Sequence, residues 1–198
     1  MLDIQKTIQF CGDSFCVNTQ PQSYLIILAN KLNAKIVGTG KSGSAHEHAF
    51  RTYKRGVDYT LFCWTQASRL FMPNDHDINF SVSHRFKDMC EMRSAAYNYY
   101  IYLHDEDYQI LRQSREFYWF DNEVLSKDTG KIIHAFGFDK TYNFKNGLNL
   151  DTAISKTYRW HDKRSHDPDD FMNHLSPKDN ELFADYLYSK FTDELLFA

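Results

Sequence analysis

A three-layer α/β/α sandwich, with helices on both faces of a mostly parallel sheet of about five strands, is the fold this sequence predicts. The first observation is order: apolar strand patterns and helical patterns alternate β-α-β-α-β through residue 64, the arrangement that right-handed crossovers build into such a sandwich. The second is Tyr59-Thr60-Leu61-Phe62-Cys63-Trp64, a nearly continuous apolar run of the kind that fills a central parallel strand. The third is residues 7–15, a short apolar run that stops at Gly12 and delivers Asp13 and Ser14. A strand ending this way sets a hydroxyl at the carboxyl edge of the sheet, where open α/β proteins hold their ligands.

Taken in order, residues 7–11 form the first strand. Pro21 suits a first helical turn, and Leu25, Leu28, Ala29 and Leu32 recur on one helix face. Residues 35–37 are a short strand, followed by the glycine-rich Gly38-Thr39-Gly40-Lys41-Ser42-Gly43-Ser44. Residues 45–54 make a short helix before the central strand. Residues 65–85 are polar, with a turn at Pro73-Asn74-Asp75, and read as a long excursion over the strand ends, the kind of connection that serves as a lid or binding loop. From Lys87 onward, Met89, Met92, Ala96, Tyr99 and Leu103 mark one helical stripe. Ile110, Phe117 and Val124 mark another, with Leu111, Tyr118 and Leu125 beside it. Both stripes read as core-facing. Asp128-Thr129-Gly130 is a turn into a fourth strand, residues 131–136. Residues 139–168 are polar, aromatic-rich and weakly periodic, a loop region with room for short pieces of structure. Ser176-Pro177-Lys178-Asp179 supplies a hydroxyl N-cap, a proline at the first helical position and a first-turn acid for a final helix with Leu182, Phe183, Tyr186, Leu187 and Phe191 on one face.

No repeat, low-complexity tract or linker divides the chain, so residues 1–198 are expected to form one domain. A net charge of -3 supplies no basic field for nucleic acid. No apolar run approaches the roughly 18 residues of a membrane span, and no signal peptide is legible at the N-terminus. A soluble, cytoplasmic protein is therefore expected. The 13 Tyr, 16 Phe and 3 Trp leave room for a homo-oligomer interface as well as a core. Cys11, Cys16, Cys63 and Cys90 lack the paired short spacings of a disulfide or zinc framework, and are expected as free thiols.

Ester hydrolysis needs an activated nucleophile, a base for its proton and donors aimed at the developing oxyanion. Each has a candidate in a loop on the same sheet edge. Ser14 follows the first strand, Ser42-Gly43 the second and Thr65-Gln66 the third, while His174 lies just before the final helix. Singly, these are an ordinary turn serine, a turn glycine, a surface amide and a solvated histidine. Together, and in this order, they make a split catalytic set.

This ordered set resembles the SGNH hydrolase superfamily, the GDSL-type esterases and lipases, over residues 7–191. The resemblance implies a flavodoxin-like sheet and assigns Gly12-Asp13-Ser14 to the first block, with Ser14 as nucleophile. It makes Gly43 the second-block glycine whose N–H serves the oxyanion hole with that of Ser14, and His174 the general base of the last block. Two positions depart from the family pattern. The family's last block is Asp-x-x-His, whereas Phe171 stands three residues before His174, so the orienting acid falls to Asp170, Asp169 or Asp167, with Asp170 the first choice. The third block, Gly-x-Asn-Asp in the family, is Trp64-Thr65-Gln66-Ala67 here, leaving Gln66 or Thr65 as the third donor.

The activity so implied is acyl transfer through an acyl-enzyme on Ser14, without metal or organic cofactor, on a short acyl or O-acetyl ester of a small molecule or carbohydrate. One rival is a catalytically weakened SGNH-like carbohydrate-binding or structural module. Another is a metal enzyme, using His46-Glu47-His48 with His161 and His166. Histidines two apart on a helix face different ways, which counts against it.

Overall fold

Alternation along the strands sorts the apolar side chains onto two faces. In the computed structural model, which describes residues 5–17, 20–71, 90–157 and 174–197, the elements run β1 (Lys6–Gly12), α1 (Tyr24–Lys31), β2 (Ala34–Gly38), α2 (His46–Thr52), β3 (Tyr59–Trp64), α3 (Cys90–Tyr102), α4 (Glu106–Trp119), β4 (Lys131–Phe136), β5 (Leu148–Asn149), α5 (Ile154–Thr157) and α6 (Pro177–Thr192). Ile8 and Phe10 of β1, Leu61 and Cys63 of β3, and Ile133 and Ala135 of β4 pack on one face against Leu25 and Leu28 of α1 and Phe183, Leu187 and Phe191 of α6. Cys11, Phe62, Trp64, Ile132 and Phe136 point the other way, onto Ala49 of α2 and Phe117 of α4. Two cores on one sheet are what make three layers.

The five strands are all parallel, in the order β2-β1-β3-β4-β5. The chain steps one way from β1 to β2 and the other way from β3 onward. This is the flavodoxin-like winding, and it opens a crevice between the carboxyl ends of β1 and β3. Ser14 sits there.

Local chemistry explains most element ends. Ser176 caps α6 by accepting a hydrogen bond from the Asp179 N–H at 3.1 Å, with Pro177 at the first helical position. Asp105 caps α4 by accepting from the Tyr108 N–H at 2.8 Å. Pro21 does not enter α1. It occupies the second position of a turn closed by the Ser23 N–H on Gln20 O at 3.0 Å, a place its fixed φ also suits. The stripe of Leu25, Leu28, Ala29 and Leu32 is buried as its spacing predicts.

The helical stripes after residue 87 are the main correction. Of the first stripe, Ala96 is buried and Tyr99 half-buried, whereas Leu103, just past α3, is 73 % exposed. Met89 lies outside the described residues. Of the second stripe, Phe117 and Leu125 are buried and Ile110 and Val124 half-buried, but Leu111 and Tyr118 face outward, and Gln109 and Gln113 join Phe117 in the inward row of α4. The reason is polar demand: this row covers loop carbonyls and His46, which need donors that leucine lacks. β5, two residues long, lies within the stretch that reads as loop and is held by Leu150 N–H on His134 O at 2.9 Å. The excursion after β3 lies beyond the described residues from 72 to 89. No described helix is long and apolar enough to cross a membrane.

Candidate functional site

Three loops meet at the crevice. β1 ends at Gly12, and Asp13 then caps a single 3-10 turn, Ser14–Cys16, its carboxylate accepting the Phe15 N–H at 3.1 Å. That turn presents Ser14, half-buried, just past the carboxyl end of β1. The loop after β2 is laced onto it by the Gly40 N–H on Cys16 O at 2.9 Å and the Lys41 N–H on Gly12 O at 3.1 Å. A Cβ on Gly40 would stand 2.5 Å from Gly12 O and 2.6 Å from Cys16 Cβ, so only glycine lets the loops meet. The same loop then turns through Gly43 at φ 78°.

From the far end of the chain, His174 brings Nε2 to 2.7 Å from Ser14 Oγ, 160 positions away in sequence. Its ring also packs tilted on Phe15, centroids 5.1 Å apart. His174 has φ 65°, a left-handed backbone uncommon outside glycine. Buried Leu175 anchors the following residue in the core, and buried Asn180 fastens the segment. Asn180 Nδ2 donates to Leu175 O at 3.0 Å and to Ser176 O at 3.1 Å, while its Oδ1 accepts the Tyr24 N–H of α1 at 2.9 Å. A hydroxyl this close to an imidazole nitrogen can pass its proton to that ring as it attacks a carbonyl.

Of the other sequence-derived residues, Gly43 lies in the neighbouring loop and Gln66 in the loop after β3, on the same edge. Gln66 is exposed and makes no hydrogen bond to Ser14 among the described residues. It lines a pocket of about 200 Å³ with Ala67, Ser68, Ile110, Phe138 and Thr141 among others. Phe138, which lines that pocket, packs edge-on against Phe15, the residue after Ser14, their ring centroids 6.0 Å apart. Thr65 is buried, its hydroxyl unpartnered among the described residues. Asp167, Asp169 and Asp170 lie outside the described residues, as do His161 and His166.

One feature has no signature in the sequence. Arg69, buried in the loop after β3, sets Nη1 2.9 Å from Asp13 Oδ2 and donates from the same atom to Ser44 O at 3.0 Å. Ser44 Oγ donates in turn to Gly12 O at 3.1 Å. A lone arginine among polar loop residues gives no periodic signal, so only the folded chain reveals the pairing.

A second cluster lies deeper. His46, Glu47 and Glu116 hold ligand-type atoms within 4.8 Å of one another. His46 Nε2 lies 2.5 Å from Glu116 Oε2, and Arg112 lies 3.7 Å from Glu47 and 3.9 Å from Glu116. Burial raises the Glu116 carboxyl, but the hydrogen bond and charge of His46, with Arg112, outweigh it and hold the group below its usual range. Burial lifts Glu47 above that range. His46 Nδ1 lies 3.4 Å from Gln113 Nε2, which donates to Thr65 O at 3.1 Å, so the cluster adjoins the loop after β3.

Cys11, Cys16 and Cys63 are free and buried. Burial pushes the Cys11 thiol up to about 12 and Cys16 well above its ordinary value, so both are unreactive. Set against protein-family models, curated proteins and solved structures, the chain matches none.

Proposed function

We propose that the chain is a serine esterase of the SGNH type, cleaving a short acyl or O-acetyl ester, with carbohydrate esters as the first substrate class to test. The observation that carries this reading is the 2.7 Å approach of Ser14 Oγ to His174 Nε2 at the switch point of a parallel sheet. Structural serines have no need of a histidine delivered from the opposite end of the chain on a left-handed backbone.

In this mechanism His174 accepts the Ser14 proton at Nε2 as Oγ attacks the ester carbonyl. The N–H groups of Ser14 and Gly43 face the developing oxyanion, with Gln66 or Thr65 as third donor. The alkoxide leaves with the proton returned by His174, and water, deprotonated by the same ring, releases the acyl group. An acid from residues 167–170, Asp170 first, holds the ring in the tautomer that leaves Nε2 free to accept. The pocket beside Gln66 and Phe138 offers space for part of the substrate, and its polar rim suits a hydroxylated group.

The test is hydrolysis of p-nitrophenyl acetate and butyrate by wild type and Ser14→Ala, with circular dichroism on both. The expected result is turnover by wild type and a loss of at least about 1,000-fold in the folded variant. Equal hydrolysis by both would remove Ser14 from the chemistry.

A further inference from the structure

We infer that Arg69 is a positioning residue for the serine nucleophile, locking the loops after β1, β2 and β3 into one arrangement; this rests on the serine-esterase reading above. Its guanidinium stands 2.9 Å from the carboxylate of Asp13, the residue directly before Ser14, and donates to Ser44 O at 3.0 Å, directly after Gly43. Its own backbone N–H closes the turn that carries Gln66, on Gln66 O at 3.4 Å. One residue therefore touches the segments bearing the nucleophile and each proposed oxyanion donor. The Phe138 ring flanks the guanidinium, 5.8 Å from its centroid, and limits its swing.

The energetics favour a geometric role. Two charges buried together give back in attraction roughly what they lose in hydration, and an apolar pair of the same size often stabilises a fold as well. What an apolar pair cannot do is pair by charge with a carboxylate on one loop while donating a directed hydrogen bond to a carbonyl on another. The Arg69 guanidinium does both, at Asp13 Oδ2 and at Ser44 O, and an ammonium does it less well. Attack on an ester requires Ser14 Oγ and the oxyanion donors to be correctly placed at the same moment, and a misplacement of about 1 Å can cost roughly 100-fold in rate. Arg69 acts through Asp13 and Ser44.

The experiment compares wild type, Arg69→Lys, and the double variant Asp13→Asn with Arg69→Met. The double variant removes both charges and strands neither, so it folds where Arg69→Met alone risks unfolding. Each protein is assayed for kcat and KM on p-nitrophenyl acetate, for the pH profile of kcat, for the rate of Ser14 labelling by a fluorophosphonate, and for melting. The expected double variant melts cooperatively, shows kcat and labelling lowered roughly 10- to 100-fold, and keeps KM within about twofold. Its pH profile is unshifted, because His174 remains the base. Arg69→Lys recovers part of kcat. A folded double variant with unchanged kcat and labelling overturns the role of Arg69 and leaves the esterase reading standing. Wild type that neither turns over nor labels at Ser14 overturns the esterase reading, and the role of Arg69 with it.

Discussion

His134, at the centre of β4, shows how much one buried side chain can dictate. Its ring is stacked on Phe144 with centroids 3.8 Å apart, and the Trp64 Nε1–H donates to its Nδ1 at 3.1 Å. Nδ1 is thereby the acceptor, so the proton sits on Nε2, which donates to Asn146 O at 2.9 Å. Burial makes the charged ring costly and brings its pKa down to about 4. An unfolded histidine titrates near 6.5. Above that pH neither state takes the proton, whereas between about 6.5 and 4 the unfolded chain binds it and the native chain does not. Stability is therefore full above pH 6.5 and falls as the pH drops through that window, by up to about 3 kcal/mol. Urea midpoints at pH 7.5 and pH 5 should show this fall in wild type and a smaller one in His134→Gln. An equal fall in both would assign the proton uptake elsewhere. His174 makes a different demand. Its left-handed backbone costs on the order of 1 kcal/mol, an expense tolerated when the surroundings hold the ring in place, here through Leu175 and Asn180.

Beyond α4 the helix continues through a π-helical turn, Phe120–Val124, and a 3-10 turn, Leu125–Lys127. The wide turn directs the buried carboxylate of Asp121 inward, where it accepts from the backbone N–H of Lys145 at 2.7 Å, that of Asn146 at 3.1 Å, and Asn146 Nδ2 at 2.8 Å. These bonds fix the turn that precedes β5 and supply His134 with its Asn146 acceptor. Asp121→Ala strands three donors, and the loss expected in urea unfolding is about 2–4 kcal/mol. A loss below about 0.5 kcal/mol would show that the edge of the sheet stands without it. Such an anchor explains why β5 is hard to read in the sequence: two residues carry no period, and the strand depends on a carboxylate more than 25 residues earlier. β3 and β4, by contrast, match their sequence readings residue for residue, because both their faces are covered and the apolar run is unbroken. The start of α6 is legible for another reason, the joint signal of Ser176, Pro177 and Asp179, but its face is read too wide: Phe183, Leu187 and Phe191 are buried, whereas Leu182 and Tyr186 are exposed, because the single stripe facing the sheet and α1 is narrower than the run of apolar residues. The α3 and α4 stripes mislead because apolar spacing reports a face without saying that it is covered, and here the covered face of α4 is partly amide.

Across the whole molecule, β1, β3 and β4 contribute side chains to both cores at once, so neither helical layer can detach without exposing the other face of the same strands. Heating is expected to give a single transition, with far-ultraviolet and near-ultraviolet circular dichroism superimposing. Two separated transitions would divide the chain into independent units. The candidate site is legible in the sequence to the extent that its proposed parts follow strand ends: Ser14, Gly43 and Gln66 each come just after one, and His174, the one that contacts Ser14 among the described residues, is flagged by the helix it precedes. Arg69 and Asn180, which hold those parts together, carry only tertiary information. Asn180 ties α6 to α1, and so couples the last described helix to the first. Chain synthesis runs the other way, from Ser14 toward His174. On a translating ribosome the serine, its glycine loops and most of the sheet can emerge while His174 is still unmade or held in the exit tunnel. The serine–histidine contact is then among the last features to form, and a nascent chain carries Ser14 without its imidazole partner until α6 docks.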